Sequence, residues 1–299
     1  MFFGIDILDP LKHNRYMNKL SATKKTQIIT ALCEGCSVRS TSRMTGAAKG
    51  TILRLLAEVG AACAAYHNAA IRNVKATRIQ VDEIWSFCYA KQKNVTEEIA
   101  EARIAGDAWT WVAIEAQSKL VISYLVGKRD AGCATEFIQD VANRITNRVQ
   151  LTSDGHKVYL NAVIDAFADE IDYAQLIKVY GGGDRQAEAR YSPAEFKATE
   201  KIRVLGDPGP KHISTSYVER QNLTMRMNMR RFTRLTNAFS KKIENHMHSV
   251  ALFYMHYNFV RIHQNAPRDA RYGCWRHGGL WSVADIVAMT EAASARRAA

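Results

Sequence analysis

The sequence holds only 5 prolines and 17 glycines in 299 residues, which excludes collagen-like and low-complexity chains. Polar residues do not dominate either. With 47% of residues apolar, the chain is too hydrophobic for intrinsic disorder and can build a sizeable core. No apolar run reaches the ~20 residues of a membrane-spanning helix. The nearly uncharged stretches at 57–71 and 250–260 are interrupted by Glu58, His67, His256 and Asn258, so no membrane partner is expected. The apolar start is broken by Asp6, Asp9 and Pro10 and has no basic segment before it. A secretory signal is therefore not expected, and a cytoplasmic location is. The six cysteines are irregularly spaced and read as free thiols in a reducing compartment. The length corresponds to about two domains at roughly 150 residues each.

Charge is present in excess of one sign, and its distribution is uneven. Of 41 basic and 29 acidic residues, positions 1–80 carry 12 and 4, positions 81–218 carry 16 and 20, and positions 219–299 carry 13 and 5. Two basic ends flank an acidic middle. Basic surface attracts a polyanion by releasing its counterions, whereas clustered carboxylates repel phosphate unless cations sit between them. Nucleic acid together with a divalent metal accommodates both; solubilising charge is the plain alternative.

The first segment has helical periodicity. Ile28, Ala31 and Leu32, then Ile52, Leu55, Leu56 and Val59, fall on single helix faces. Gly35 can end the first helix, Ser37 can cap a short second one, Gly46 makes a turn, and Gly60 ends the third. This is a helix-turn-helix layout, with Lys49, Thr51 and Arg54 near the start of the last helix, where a recognition helix meets DNA. Three-helix bundles that bind nothing share the pattern. Cys33 and Cys36 have zinc-ligand spacing, and Cys63 with His67 could complete a set, but the bundle explains the segment without metal.

Beyond residue 70 the period changes. Runs at 78–89, 109–116 and 119–126 are β-branched and aromatic, and read as three successive antiparallel strands. A helix at 130–148, a strand at 149–153, a helix at 157–168 and a strand at 173–180 follow. The order βββαβαβ predicts an α/β layered fold, and 181–214, with Gly181 to Gly183 and three prolines, reads as a loop insertion. A long helix is expected from Ser216 and an aromatic-rich one over 237–260. Trp85, Trp109 and Trp111 read as core rather than base-stacking residues.

Three acids stand in unusual places: Asp82 inside an apolar strand, Asp154 at a strand end before Gly155, and Glu219 in the first turn of a basic helix. A charge inside a strand core must reach water, a partner or a metal. Asp154 sits where α/β sheets commonly present ligands. In this element order the first and fourth strands lie side by side, which lets the two aspartates meet. Taken singly, each acid reads equally well as an edge-strand, turn or helix-dipole carboxylate. Glu219, Asn222, Arg226 and Arg230 recur on one helix face, and seven basic residues face one acid over 219–242: Arg220, Arg226, Arg230, Arg231, Arg234, Lys241 and Lys242. His156 can lie beside a phosphate or simply bond backbone.

Three blocks carry a family resemblance: VDEIWSF at 81–87, LTSDGHKVYLNAV at 151–163, and STSYVERQNLTMRMNMRRFTRLTNAFSKKIENH at 214–246. They resemble the DDE-type transposases of bacterial insertion sequences, in the retroviral-integrase superfamily, over most of residues 24–264. The resemblance implies a helix-turn-helix DNA-binding domain at 1–70, a ribonuclease H-like catalytic domain (βββαβαβα) at 71–240, and a C-terminal helical segment at 241–299. It implies Asp82, Asp154 and Glu219 as catalytic, metal-binding residues, with two Mg²⁺ or Mn²⁺ ions ~3.5–4 Å apart. It also places Arg226 against DNA near the active site, and matches Glu83 to a second acid of the family. Partners would be double-stranded DNA, as terminal inverted repeats and target, and further copies of the chain in a synaptic complex. A nuclease or resolvase of the same fold, or a catalytically impaired DNA-binding regulator, are the alternatives. At 265–277 the resemblance breaks, and codons exist for NAPRDARYGCWRH that restore the family pattern when read one base later, as after a local frameshift.

Overall fold

The computed structural model describes residues 19–102, 104–181, 196–233, 236–263 and 279–298. Arg234, Gly182, Gly183 and the divergent stretch at 265–277 lie outside them.

Three helices open the described chain: α1 (Ala22–Cys33), α2 (Val38–Thr45) and α3 (Lys49–Ala70). Local chemistry sets their ends. Ser21 Oγ accepts from the Lys24 N–H at 3.2 Å, Ser37 Oγ accepts from the Ser40 N–H at 3.0 Å, and Gly46 closes α2 in the left-handed region at φ 71°. Gly60 does not end α3, contrary to expectation. A Cβ there would lie 2.5 Å from His248 Cβ and 2.7 Å from its backbone, so Gly60 is where α3 crosses a later helix at close range. A mid-helix glycine costs about 0.5–1 kcal/mol, and the close crossing offsets it.

The strands β1 (Arg78–Cys88), β2 (Gly106–Glu115), β3 (Val121–Gly127), β4 (Val149–Asp154), β5 (Ile171–Tyr180) and β6 (Phe196–Leu205) form one sheet in the order β3-β2-β1-β4-β5-β6. β1, β2 and β3 form the expected antiparallel meander, β4 runs parallel to β1, and β5 parallel to β4. β6 was not expected; its stretch reads as loop. It lies antiparallel on β5 at the sheet edge, with Phe196 to Arg203 exposed on both faces, so no apolar alternation marks it. Main-chain pairing to β5 makes the strand.

A short helix, α4 (Glu97–Ala102), joins β1 to β2. Helices α5 (Ala131–Ala142) and α6 (Val158–Phe167) cover one face, where Val81, Trp111, Phe137, Ile138 and Tyr159 share a core. Helices α7 (Ser216–Asn228) and α8 (Ile243–Met255) cover the other, over Ile84, Val112, Val218, Met225, Val250 and Tyr254. Each such apolar side chain contributes about 1.5–3 kcal/mol on burial. The last helix, α9 (Val283–Ala298), ties back to α1 through Lys25 and Glu291 at 2.8 Å.

Both late helices are shorter than their periodicity predicts. Extended backbone at Met229 ends α7, and α8 begins only at Ile243. Between them the chain runs beside the end of β1: Cys88 bridges Ser240, and the Tyr89 N–H donates to the Ser240 carbonyl at 2.8 Å. Arg231 donates to Ser240 Oγ at 2.7 Å, and His246 holds the same hydroxyl through Nδ1 at 3.1 Å and Ser86 Oγ through Nε2 at 3.2 Å. Burial keeps His246 neutral, lowering its pKa to about 3. These contacts outweigh helix propensity here.

Candidate active site

β1 and β4 pair from Arg78 with Gln150 to Gln80 with Thr152, where their ladder ends. Asp82 and Asp154 stand two residues past the last pair on each strand, at the same offset. With side chains alternating along a strand, both point to the same face just past the end of the ladder. Asp82, Glu83 and Asp154 each offer a carboxylate oxygen, and these lie within 4.8 Å of one another. Among the described residues this is the sole group of three or more acidic, histidine or cysteine side chains within reach of one ion.

The three carboxylates are held differently. Asp82 accepts from the Glu83 N–H at 2.8 Å and from Asn222 Nδ2 at 2.9 Å. Burial, then Glu83, Asp154 and Glu219 nearby, push its pKa up to about 7. Asp154 Oδ1 accepts from the His156 N–H at 3.0 Å. Glu83 instead is saturated: Arg129 Nε donates to Oε1 at 2.6 Å and Tyr159 Oη donates to Oε2 at 2.8 Å. Burial and Glu83 beside it raise the Tyr159 phenol well above its ordinary value, so it remains a donor.

Glu219 reaches the neighbourhood on α7. Gln80 Oε1, on the same face of β1 as Asp82, accepts from the Tyr217 and Val218 N–H groups at 2.7 and 3.1 Å. This side-chain cap bolts the helix start over the strand. Glu219 bonds Lys178 Nζ through both oxygens at 2.5 Å and accepts from Thr215 Oγ1 at 2.5 Å. Gln80, Lys178, Arg129 and Tyr159 were missed in the sequence, since neither charge nor spacing sets them apart.

Donor chemistry fits a hard cation, with carboxylate oxygens converging from β1 and β4, but Glu219 stands outside that group, with both of its oxygens on Lys178. Two buried polar atoms beside the aspartates, Asn222 Oδ1 and His156 Nε2, have no hydrogen-bond partner. The cysteine set does not fit a metal. Cys33 and Cys63 are buried, with their thiol pKa values raised, and His67 Nε2 faces the Val121 carbonyl at 3.2 Å.

Most of the expected DNA-facing residues are at the surface. Lys49, Arg54, Arg230, Lys241 and Lys242 are exposed, and Thr51 and Arg226 partly so. Arg230 lies beyond the end of α7, so it does not continue the helix face of Glu219 and Arg226. Arg231 is turned inward to Ser240, and burial lowers its pKa to about 10. A cavity of about 540 Å³ between the first three helices and residues 228–253 is lined by Arg39, Lys49, Arg230 and Lys241, joining two basic sets far apart in sequence.

No family model matches the sequence, and no curated protein matches it. Among solved structures, a piggyBac transposase synaptic complex with hairpin DNA overlaps 92% of this chain and 71% of its own, at 9% identity and TM-score 0.40. A simian T-cell lymphotropic virus intasome in complex with the PP2A regulatory subunit B56 gamma overlaps 88% of this chain and 78% of its own, at 15% identity and TM-score 0.34. Overlaps of that extent leave the chemistry to be argued from the residues themselves.

Proposed function

We propose that the chain is a DDE-type transposase, with a ribonuclease H-like catalytic domain over 71–240, a helix-turn-helix DNA-binding domain over 1–70 and a C-terminal helical segment over 241–299. The observation that carries this is the approach of the Asp82 and Asp154 carboxylates, each two residues past the last β1–β4 pair, beneath the helix that Gln80 bolts to β1 and that bears Glu219. Asp82, Asp154 and Glu219 would hold Mg²⁺ or Mn²⁺. When bound, such ions supply a metal-activated water and charge stabilisation for the departing 3′ oxygen of a phosphodiester. Asn222 orients Asp82, and the His156 main chain orients Asp154, so both carboxylates keep their aim as charge at the site changes. Lys49, Arg230 and Lys241 line one groove where a DNA backbone can lie, with Thr51, Arg54, Arg226 and Lys242 as further DNA contacts. The substrate is double-stranded DNA, as element ends and target, and joining two ends requires more than one copy of the chain.

The test is to incubate the protein with labelled element ends, with and without Mn²⁺. Asp82→Asn, Asp154→Asn and Glu219→Gln should each abolish strand cleavage and joining while end binding persists. Full cleavage by any one of them would overturn the assignment. Cleavage by the unaltered protein without joined products would make it a nuclease of the same fold.

A further inference from the structure

The face of β1 that carries Glu83 also carries Trp85 and Phe87, by the two-residue alternation of a strand. Trp85 pairs in register with Trp109 on β2, so their rings share that face. Trp85 and Phe87 have centroids 5.7 Å apart, and Phe87 lies 4.9 Å from Phe239, which precedes the Ser240 bridge to β1. All four rings are partly exposed. None belongs to, or packs against, any of the three hydrophobic clusters among the described residues. Trp111 shows the contrast. One pleat away on the same face, it is fully buried between Phe137 and Tyr159.

Cations sit over the strip. The Arg129 guanidinium lies 4.7 Å from the Trp109 centroid while it pairs with Glu83, and Lys91 Nζ lies 6.0 Å from Phe87. Lys241 is exposed two residues beyond Phe239. Besides Glu83, Asp107 lies on this face, opposite Phe87, and accepts from the Gln92 N–H at 3.4 Å. Exposed rings with cations alongside suit a ligand that has flat π-faces and negative charge.

We infer that Trp109, Trp85, Phe87 and Phe239 form a stacking platform for the unpaired bases of single-stranded DNA, leading away from the acidic cluster. Inside a duplex the base faces are covered by their neighbours, so successive bases can lie along these rings only when unpaired. Arg129 joins Glu83, one member of the acidic cluster, to Trp109 at the head of the strip. The platform rests on the DNA chemistry proposed for those acids, and it deepens that reading by naming a strand separated at the site.

Fluorescence anisotropy of the full chain with a labelled oligo(dT) and with a blunt duplex tests it. Trp85→Leu and Phe87→Leu should each weaken oligo(dT) binding about 5- to 150-fold, the range that follows from ~1–3 kcal/mol per stacked base. Duplex binding should change less than about twofold, and Trp85→Phe should keep most single-strand affinity. In the unaltered chain, oligo(dT) should also quench tryptophan emission, a readout that needs no substitution. Absence of quenching, or equal losses on both DNAs, overturns the platform. Metal-dependent cleavage of duplex ends is scored separately, so a chain that cleaves but does not quench refutes the platform alone. A chain that quenches but never cleaves refutes the proposed function alone.

Discussion

Asp82 and Glu83 are neighbours on one strand, both largely buried, and the fold treats them oppositely. Glu83 points toward α6, where Arg129 and Tyr159 bond both of its oxygens. Asp82 points toward α7, where it has one amide donor, one main-chain N–H and three other acids nearby. A buried carboxylate with a cation and a hydroxyl is part of the scaffold. One crowded by like charge is unstable in its ionised form until a cation arrives. Adjacent acids on a strand are thus sorted by the face on which each lands.

The largest effect that sharpens this contrast is on stability. Glu83→Ala leaves the buried Tyr159 hydroxyl and the half-exposed Arg129 without their partner and should cost about 2–3 kcal/mol by urea denaturation. Asp82→Asn removes a strained charge and should stabilise the metal-free protein at neutral pH. If both substitutions destabilise equally, the two acids do not differ as argued.

The pH dependence follows with its sign. Asp82 has a folded pKa of about 7 against an ordinary value of 3.8, so the folded chain binds more protons than the unfolded chain between those values. Its contribution is therefore most favourable below about pH 4 and is lost as pH rises through about 7. In EDTA that loss should amount to a few kcal/mol, using ~1.4 kcal/mol per pH unit. Asp82→Asn should flatten the curve in that window. A wild-type curve without the decline would break the contrast.

Smaller effects come from the supports. Gly60→Ala forces the α3–α8 crossing apart at His248 and should lower stability by about 1–3 kcal/mol, measured by thermal unfolding. Tyr159→Phe removes one donor from buried Glu83 and should cost about 1–2 kcal/mol, with Arg129 still in place.

Much of the fold was legible. The switch from helical to two-residue periodicity after residue 70 marked the strands, and the βββαβαβ order carried the meander and the adjacency of β1 and β4, whose parallel direction the structure adds. What was not legible depends on distant partners. β6 has no apolar pattern because it is an exposed edge held by main-chain bonds to β5. The stretch at 236–242 reads as helix, yet the bridge to Cys88 and the hold of Arg231 and His246 on Ser240 take it to β1. Gly60 looks like a stop signal locally and is a helix-crossing point in three dimensions. The tryptophans look alike in the sequence, whereas Trp111 is core and Trp85 and Trp109 are partly exposed.

By itself the sequence determined the first three helices, the strands through β5 and the helices α5 and α6 between them, where the acids sit along the chain, and that it is basic at both ends. These follow from periodicity, capping residues and composition, all of which act over a few residues. Tertiary structure alone decided which acid is saturated and which is crowded, that Lys178 meets Glu219, and that Lys49 shares a groove with Arg230 and Lys241. Those outcomes depend on contacts between residues tens to hundreds of positions apart, set by which face of a strand or helix each side chain occupies once the layers close.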